Sequence, residues 1–139
     1  MRCRAFTGVR NPPEGSKNKV RLLLMTLDPE ESELVIGCCV GIDQMVGEEG
    51  KKFGFKIYGV VPADRLRVDP LFANYCTSFE FMPDGTDYMD RNSRLIEISY
   101  DLHAFPMTAE EEVRSVTWST VRRARRKGMI VTIIPLKGV

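Results

Sequence analysis

Four short segments hold the residues best able to do chemistry. Thr7-Gly8-Val9-Arg10 sets a glycine and an arginine directly after an apolar run, where backbone N–H groups and a guanidinium can converge on a phosphate or carboxylate. A tight turn with a solvated arginine is the competing account. Gly37-Cys38-Cys39-Val40-Gly41-Ile42-Asp43 places two glycines four apart ahead of a helical stretch, so the chain can pass close to a ligand while a helix N-terminus faces it. Asp43 can cap that helix or accept from a ribose hydroxyl. Asp90-Arg91-Asn92-Ser93-Arg94 opens another helix, and Arg91 and Arg94 either reach an anion together or pair with Asp87, Asp90 or Glu97. Arg114-Ser115-Val116-Thr117-Trp118-Ser119-Thr120 begins the last helix with hydroxyl side chains and free backbone donors, the makings of a phosphate cradle.

Behind that cradle Arg122, Arg123, Arg125, Arg126 and Lys127 form a basic cluster, which reads equally as a solvated face favourable to the helix dipole or as a nucleic-acid contact. Trp118 can stack on a base or pack in the core. Asp43, Asp64 and Glu112 are the candidate acids, and Glu110-Glu111-Glu112 reads first as a solvated run. No metal site is expected: Cys38-Cys39 are adjacent rather than in paired CxxC spacing, and His103 is the only histidine. Cys3 and Cys38 fall in apolar runs, as reduced cysteines that pack like small hydrophobes do.

These segments sit between alternating elements. Strand-like runs at Cys3 to Thr7, Leu34 to Ile36, Lys56 to Val61, Asp101 to Phe105 and Met129 to Ile134 alternate with helical spacings at Lys17 to Leu27, Ile42 to Phe53, Tyr88 to Tyr100 and Ser115 to Lys127. Ala63 to Asp87 is irregular, with one short candidate strand at Ser78 to Met82. This alternation predicts a single α/β, Rossmann-like domain: a parallel sheet of about five strands flanked by helices on both faces, over residues 1–139. Ligands of such sheets bind outside the carboxyl ends of the strands, which singles out the loops Gly8 to Ser16, Gly37 to Asp43, Pro62 to Arg67 and Pro106 to Thr120.

The totals agree with one domain. A length of 139 residues suits one core, and 20 Lys and Arg against 19 Asp and Glu give a charge of +1, which argues against a whole-surface grip on nucleic acid or an anionic membrane. No apolar run approaches a membrane span and the first residues lack a signal-peptide pattern, so a cytoplasmic protein with no membrane partner is expected.

Taken together and in order, the segments resemble the SLOG superfamily, which groups the DNA-processing A proteins, the YspA and YpsA-like proteins and the Lonely-Guy-type phosphoribohydrolases. TGVR is similar to the turn after the first strand there, and GCCVGIDQM to the glycine loop ending in Gly-Ile-Asp. FGFKIYGVVPADR resembles the strand that follows, RNSRLIEISYDLHAFP the Arg-Asn helix and next strand, and VTWSTVRRARRKGMIVTIIP the Thr-bearing turn, helix and final strand. The resemblance implies a Rossmann-like fold that binds a nucleotide, a nucleotide derivative or single-stranded nucleic acid. It also implies a site lined by Gly8, Arg10, Gly37, Gly41, Asp43, Arg91, Asn92, Ser119 and Thr120, to which the residues themselves add Trp118 as a stacking candidate.

Two departures bear on activity. Cys38-Cys39 replaces small residues in the second loop, and Val116-Thr117-Trp118 stands where the Lonely-Guy enzymes have a Pro-Gly-Gly-x-Gly-Thr turn near a glutamate, which argues against N-glycosidic cleavage. The leading expectation is therefore a domain that senses or sequesters a phosphorylated nucleoside derivative with no cofactor. A nucleoside-monophosphate hydrolase and a single-stranded nucleic-acid binder are the alternatives. Phe72, Tyr75, Phe79, Phe81 and Met82 give the irregular segment an apolar content that predicts a homodimer or larger homo-oligomer.

Overall fold

The computed structural model describes residues 1–137. Six strands, β1 (Arg2–Gly8), β2 (Ser32–Ile36), β3 (Lys56–Val61), β4 (Ser78–Phe81), β5 (Asp101–Phe105) and β6 (Ile130–Ile133), alternate with four helices, α1 (Ser16–Leu24), α2 (Ile42–Lys52), α3 (Tyr88–Glu97) and α4 (Val116–Arg126). Every pairing is parallel, in the order β4-β3-β2-β1-β5-β6. The expected α/β layering holds. The strand beyond the five expected is β4, the short candidate within the irregular segment, which adds to the edge beside β3.

Alternation along each strand builds two cores. Phe6, Leu34, Ile36, Ile57, Val61 and Phe105 point to the face where Val20 and Leu24 of α1 and Ile42 and Val46 of α2 pack. Ala5, Val35, Val60, Leu102 and Ala104 point to the other face, under Leu95 and Ile96 of α3 and Trp118, Val121 and Ala124 of α4. Strands covered on both sides read as near-continuous apolar runs, which is why their sequence signal was strong.

Local signals set the helix ends. The Asp87 side chain accepts from the Asp90 N–H (2.8 Å) and the Asp90 side chain from the Asp87 N–H (2.9 Å), a reciprocal cap that starts α3. Ser115 caps α4 by accepting from the Trp118 N–H at 3.2 Å. The chain runs outward from β1 to β4, then returns across β1 to place β5 on its other side. That reversal lies between β1 and β5, and the loops leaving their carboxyl ends part there and leave a crevice.

Candidate functional site

A cavity of about 390 Å³ opens at this reversal, within the size range of small-molecule sites. The end of β1 and the loop after it give Gly8, Arg10 and Asn11, and the loop after β2 and the first turn of α2 give Cys39, Val40 and Asp43. Arg67 comes from the segment after β3, Tyr88, Arg91 and Asn92 from the start of α3, and Met107 and Arg114 to Thr117 from the β5–α4 connection. Four guanidiniums and one carboxylate therefore line one crevice.

Close backbone approach makes the crevice possible. A Cβ on Gly8 would stand 2.6 Å from Ile42, and one on Gly41, which has φ +95°, would stand 2.5 Å from the Arg10 carbonyl. Only glycine meets both demands at residue 41. The Ile42 N–H donates to the Val9 carbonyl at 3.1 Å, locking the first loop against the N-terminus of α2.

Arg91 is the centre of the site. It is 6% exposed, its Nε donates to Asn92 Oδ1 at 2.8 Å, and its Nη1 donates to the Gly37 carbonyl and approaches Cys39 Sγ at 3.5 Å. A Cβ on Gly37 would collide with the guanidinium, so a larger residue here would displace Arg91. The pairing with Asp87 or Asp90 that the sequence left open is not made, because those carboxylates cap α3. Arg94 instead takes the exposed face and pairs with Glu80 (2.9 Å) and Glu97 (2.9 Å). Among the described residues Arg91 forms no salt bridge.

Asp43 is the buried acid of the cavity. Burial pushes its carboxyl above the usual carboxylate range, while the charge of Arg91 and the Cys39 N–H (3.2 Å) pull it partway back. The Cys39 thiol is pushed up to about 11 by burial, against the pull of Arg91. Tyr88 sets its ring within 5.8 Å of the Arg67 guanidinium and 5.7 Å of that of Arg91, holding two cations on one aromatic surface.

The structure brings Gly8, Arg10, Asp43, Arg91 and Asn92 to the cavity, with Gly37 and Gly41 directly behind its wall. It does not bring Trp118, Ser119 or Thr120 there. Trp118 is 3% exposed in the second core with Arg125 over its ring at 5.9 Å, so it offers no free face to a base. Thr120 is fully buried and its hydroxyl donates to the Val116 carbonyl at 3.1 Å. The α4 turn presents Arg114, Ser115 and Thr117 instead, one helical turn earlier, because helix α4 starts at Val116 and its N-terminal turn faces the crevice. Of the candidate acids, Asp64 and Glu112 do not line the cavity.

Sequence reasoning missed Arg67 and Tyr88. Arg67 ends the loop Pro62 to Arg67, which its place after a strand singles out, but nothing in that loop's residue types points to this arginine. Tyr88 had none, since an aromatic residue at a helix start reads as packing.

The basic cluster of α4 is divided. Arg122 pairs with Glu111 at 3.2 Å and donates to the Val113 carbonyl, and Arg125 lies 4.0 Å from Glu111. Arg123 donates to Ser93 Oγ at 2.7 Å and, with Arg126 and Lys127, lines a groove between α3 and α4. No cluster of His, Cys, Asp and Glu able to hold a metal ion occurs among the described residues, and no helix among them is long and apolar enough to cross a membrane.

No protein-family model and no curated protein matches the chain. Solved structures do. DNA processing protein A from Streptococcus pneumoniae superposes with a TM-score of 0.78 at 20% identity over 97% of this chain and 50% of that one. DNA processing protein A from Helicobacter pylori, a structure concerned with that protein's single-stranded DNA binding mode, gives 0.71 at 19% identity over 97% of this chain and 66% of that one. The structural-genomics target TM1055 gives 0.70 at 16% identity over 94% of this chain and 72% of that one. The chain thus spans between half and two thirds of the two DNA processing proteins. The chain has a Rossmann-like fold that it shares with DNA processing protein A and TM1055.

Proposed function

We propose that the cavity binds a nucleotide or another phosphorylated nucleoside derivative, and that the domain senses or sequesters it. The observation that carries this reading is Arg91: a buried guanidinium, fixed by the Gly37 carbonyl and Asn92, without a salt-bridge partner among the described residues, and lining the crevice with Arg10, Arg67 and Arg114. Asp43, the one carboxylate lining the cavity, is out of salt-bridge contact with Arg91 and is itself pushed toward its neutral form by burial, so the buried cation is costly unless a ligand adds negative charge. A phosphate does so, and the N-termini of α2 and α4 add oriented N–H groups. In this reading Asp43, which lines the same cavity, accepts from a sugar hydroxyl.

Titration calorimetry against AMP, NAD, ADP-ribose and cyclic dinucleotides tests the reading. Binding of at least one member, tighter than about 1 mM and reduced by Arg91→Ala, supports it; no binding to any of them removes it.

Single-stranded nucleic acid is the second reading, favoured by the groove of Arg123, Arg126 and Lys127 and by the single-stranded DNA bound by the Helicobacter pylori neighbour. It stands without Trp118. Affinity for oligonucleotides would then fall steeply with salt, and substitution of these three residues by Ala would flatten that slope. The hydrolase alternative retains only Asp43 as an acid in the cavity. A homodimer through the Phe79 and Phe81 edge is the assembly we infer.

A further inference from the structure

The loop carrying Gly37 to Asp43 meets the segment 68–76 at a pair of thiols. Cys38 Sγ and Cys76 Sγ lie 3.8 Å apart. Two cysteines in contact inside a core are ordinarily small hydrophobes, but two further features single these out.

The first is backbone conformation. Cys38 has φ 62°, the only non-glycine residue with positive φ among the described residues, in a region that L side chains rarely occupy. The second is the floor beneath the sulfurs. Gly59 of β3 lies under both, and a Cβ there would stand 2.5 Å from Cys38 Sγ and 2.8 Å from Cys76 Sγ. The two chain segments are also tied together: the Asp69 N–H donates to the Cys38 carbonyl at 2.9 Å, and the Tyr75 hydroxyl donates to Asp69 Oδ2 at 2.9 Å. Strained backbone, an emptied floor and a fixed cross-tie hold the thiols facing each other.

We propose that Cys38 and Cys76 are a reversible modification site that closes to an intramolecular disulfide, with small-molecule disulfides such as oxidised glutathione as the oxidant class. Cys76 is partly exposed and Cys38 is buried, so reagent reaches Cys76 first. The hydrogen bond to Cys76 and burial push the Cys38 thiol up, which keeps it the second to react. The Cys76 thiolate attacks the disulfide and releases one thiolate, which takes a proton from water to become a thiol. Cys38 then loses its proton, attacks Cys76 Sγ and releases the second thiol. Two protein thiols are oxidised and one disulfide is reduced to two thiols.

Closure changes the site. A disulfide holds its sulfurs about 2.05 Å apart, so the two segments draw together by up to about 2 Å. Gly37 and Cys39 flank Cys38, and both contact Arg91. Their displacement loosens the guanidinium, so oxidation weakens anion binding; this consequence rests on the ligand reading above, whereas the disulfide does not.

The full chain is equilibrated with oxidised or reduced glutathione, alkylated and mapped by mass spectrometry. A Cys38–Cys76 cross-link in the oxidised sample, absent from Cys76→Ser, supports the proposal. Two alkylated thiols, or a glutathione adduct on Cys76 without the cross-link, overturn it. Orthophosphate titration of both forms is expected to show at least tenfold weaker binding after oxidation, and equal affinity overturns the coupling. Failure of the reduced form to bind orthophosphate or AMP counts against the ligand reading and leaves the cross-link result standing.

Discussion

The Arg91 guanidinium packs over the Gly37 backbone so closely that the glycine hydrogen is all the space admits, and the Gly37 carbonyl is one of the groups holding it. The end of β2 and the start of α3, more than fifty residues apart in sequence, are thereby fixed to each other at the mouth of the crevice.

Gly37→Ala puts a methyl group where the guanidinium lies. The arginine must move, and the variant should lose about 1 to 3 kcal/mol of stability by overpacking, together with its affinity for phosphate ligands. Adding Arg91→Ala vacates the space. Denaturant unfolding of the single and double variants should then show a coupling above about 0.5 kcal/mol, with Gly37→Ala less harmful once the guanidinium has been removed. Additive losses would mean the two residues do not compete for one volume.

Arg91→Lys keeps the charge but not the planar fork that serves Gly37, Asn92 and a ligand at once. Affinity for a nucleoside monophosphate should fall by about 1.5 to 3 kcal/mol, tenfold to a hundredfold in Kd. Calorimetry showing the Arg91→Lys variant equal to the parent would assign anion binding to Arg10, Arg67 or Arg114 instead.

Asp43 predicts a pH dependence. Its folded carboxyl holds a proton to higher pH than in the unfolded chain, since burial is the largest influence on it. Below the unfolded value, about 4 for an aspartate, the neutral form is present in both states. As pH rises through the folded value, the native state must carry a buried charge and stability is lost. Asp43→Asn removes the titration and keeps an acceptor for the Cys39 N–H. Its Tm should exceed that of the parent at neutral pH, and the gap should close on acidification; a gap independent of pH would show that Asp43 does not titrate differently on folding.

The sequence made the scaffold easier to see than the site. Doubly covered strands such as Leu34 to Ile36 and the periodic apolar positions of α2 and α4 carry their signal in local composition. Gly8, Gly37 and Gly41 were legible because close approach demands glycine, although which atom approaches is a tertiary fact. Trp118 misled because a helix start exposes only its first turn: Arg114 to Thr117 face the crevice, and the next residues already point to the core. Arg91 was ambiguous because the capping that occupies Asp87 and Asp90 depends on backbone geometry, which spacing alone does not reveal.

The outer edge of β4 gives the last prediction. Phe79 and Phe81 alternate onto one face of this strand and make edge-to-face contacts with each other (5.5 Å) and with Phe72 (5.0 and 6.3 Å). Phe79 and Phe81 nevertheless stay 40% and 53% exposed. The strand lies at the end of the sheet, so one row of its backbone donors and acceptors has no strand partner among the described residues. Ser78–Phe81 carries neither a proline nor a lysine, and its one charged residue, Glu80, is paired with Arg94. Two copies related by a two-fold axis can pair these edges and bury the phenyl rings together. Light scattering at micromolar concentration should give twice the chain mass, and Phe81→Glu should halve it with little change in phosphate affinity, because residue 81 does not line the cavity. A parent protein of single-chain mass would leave the aromatic edge without a role in self-association.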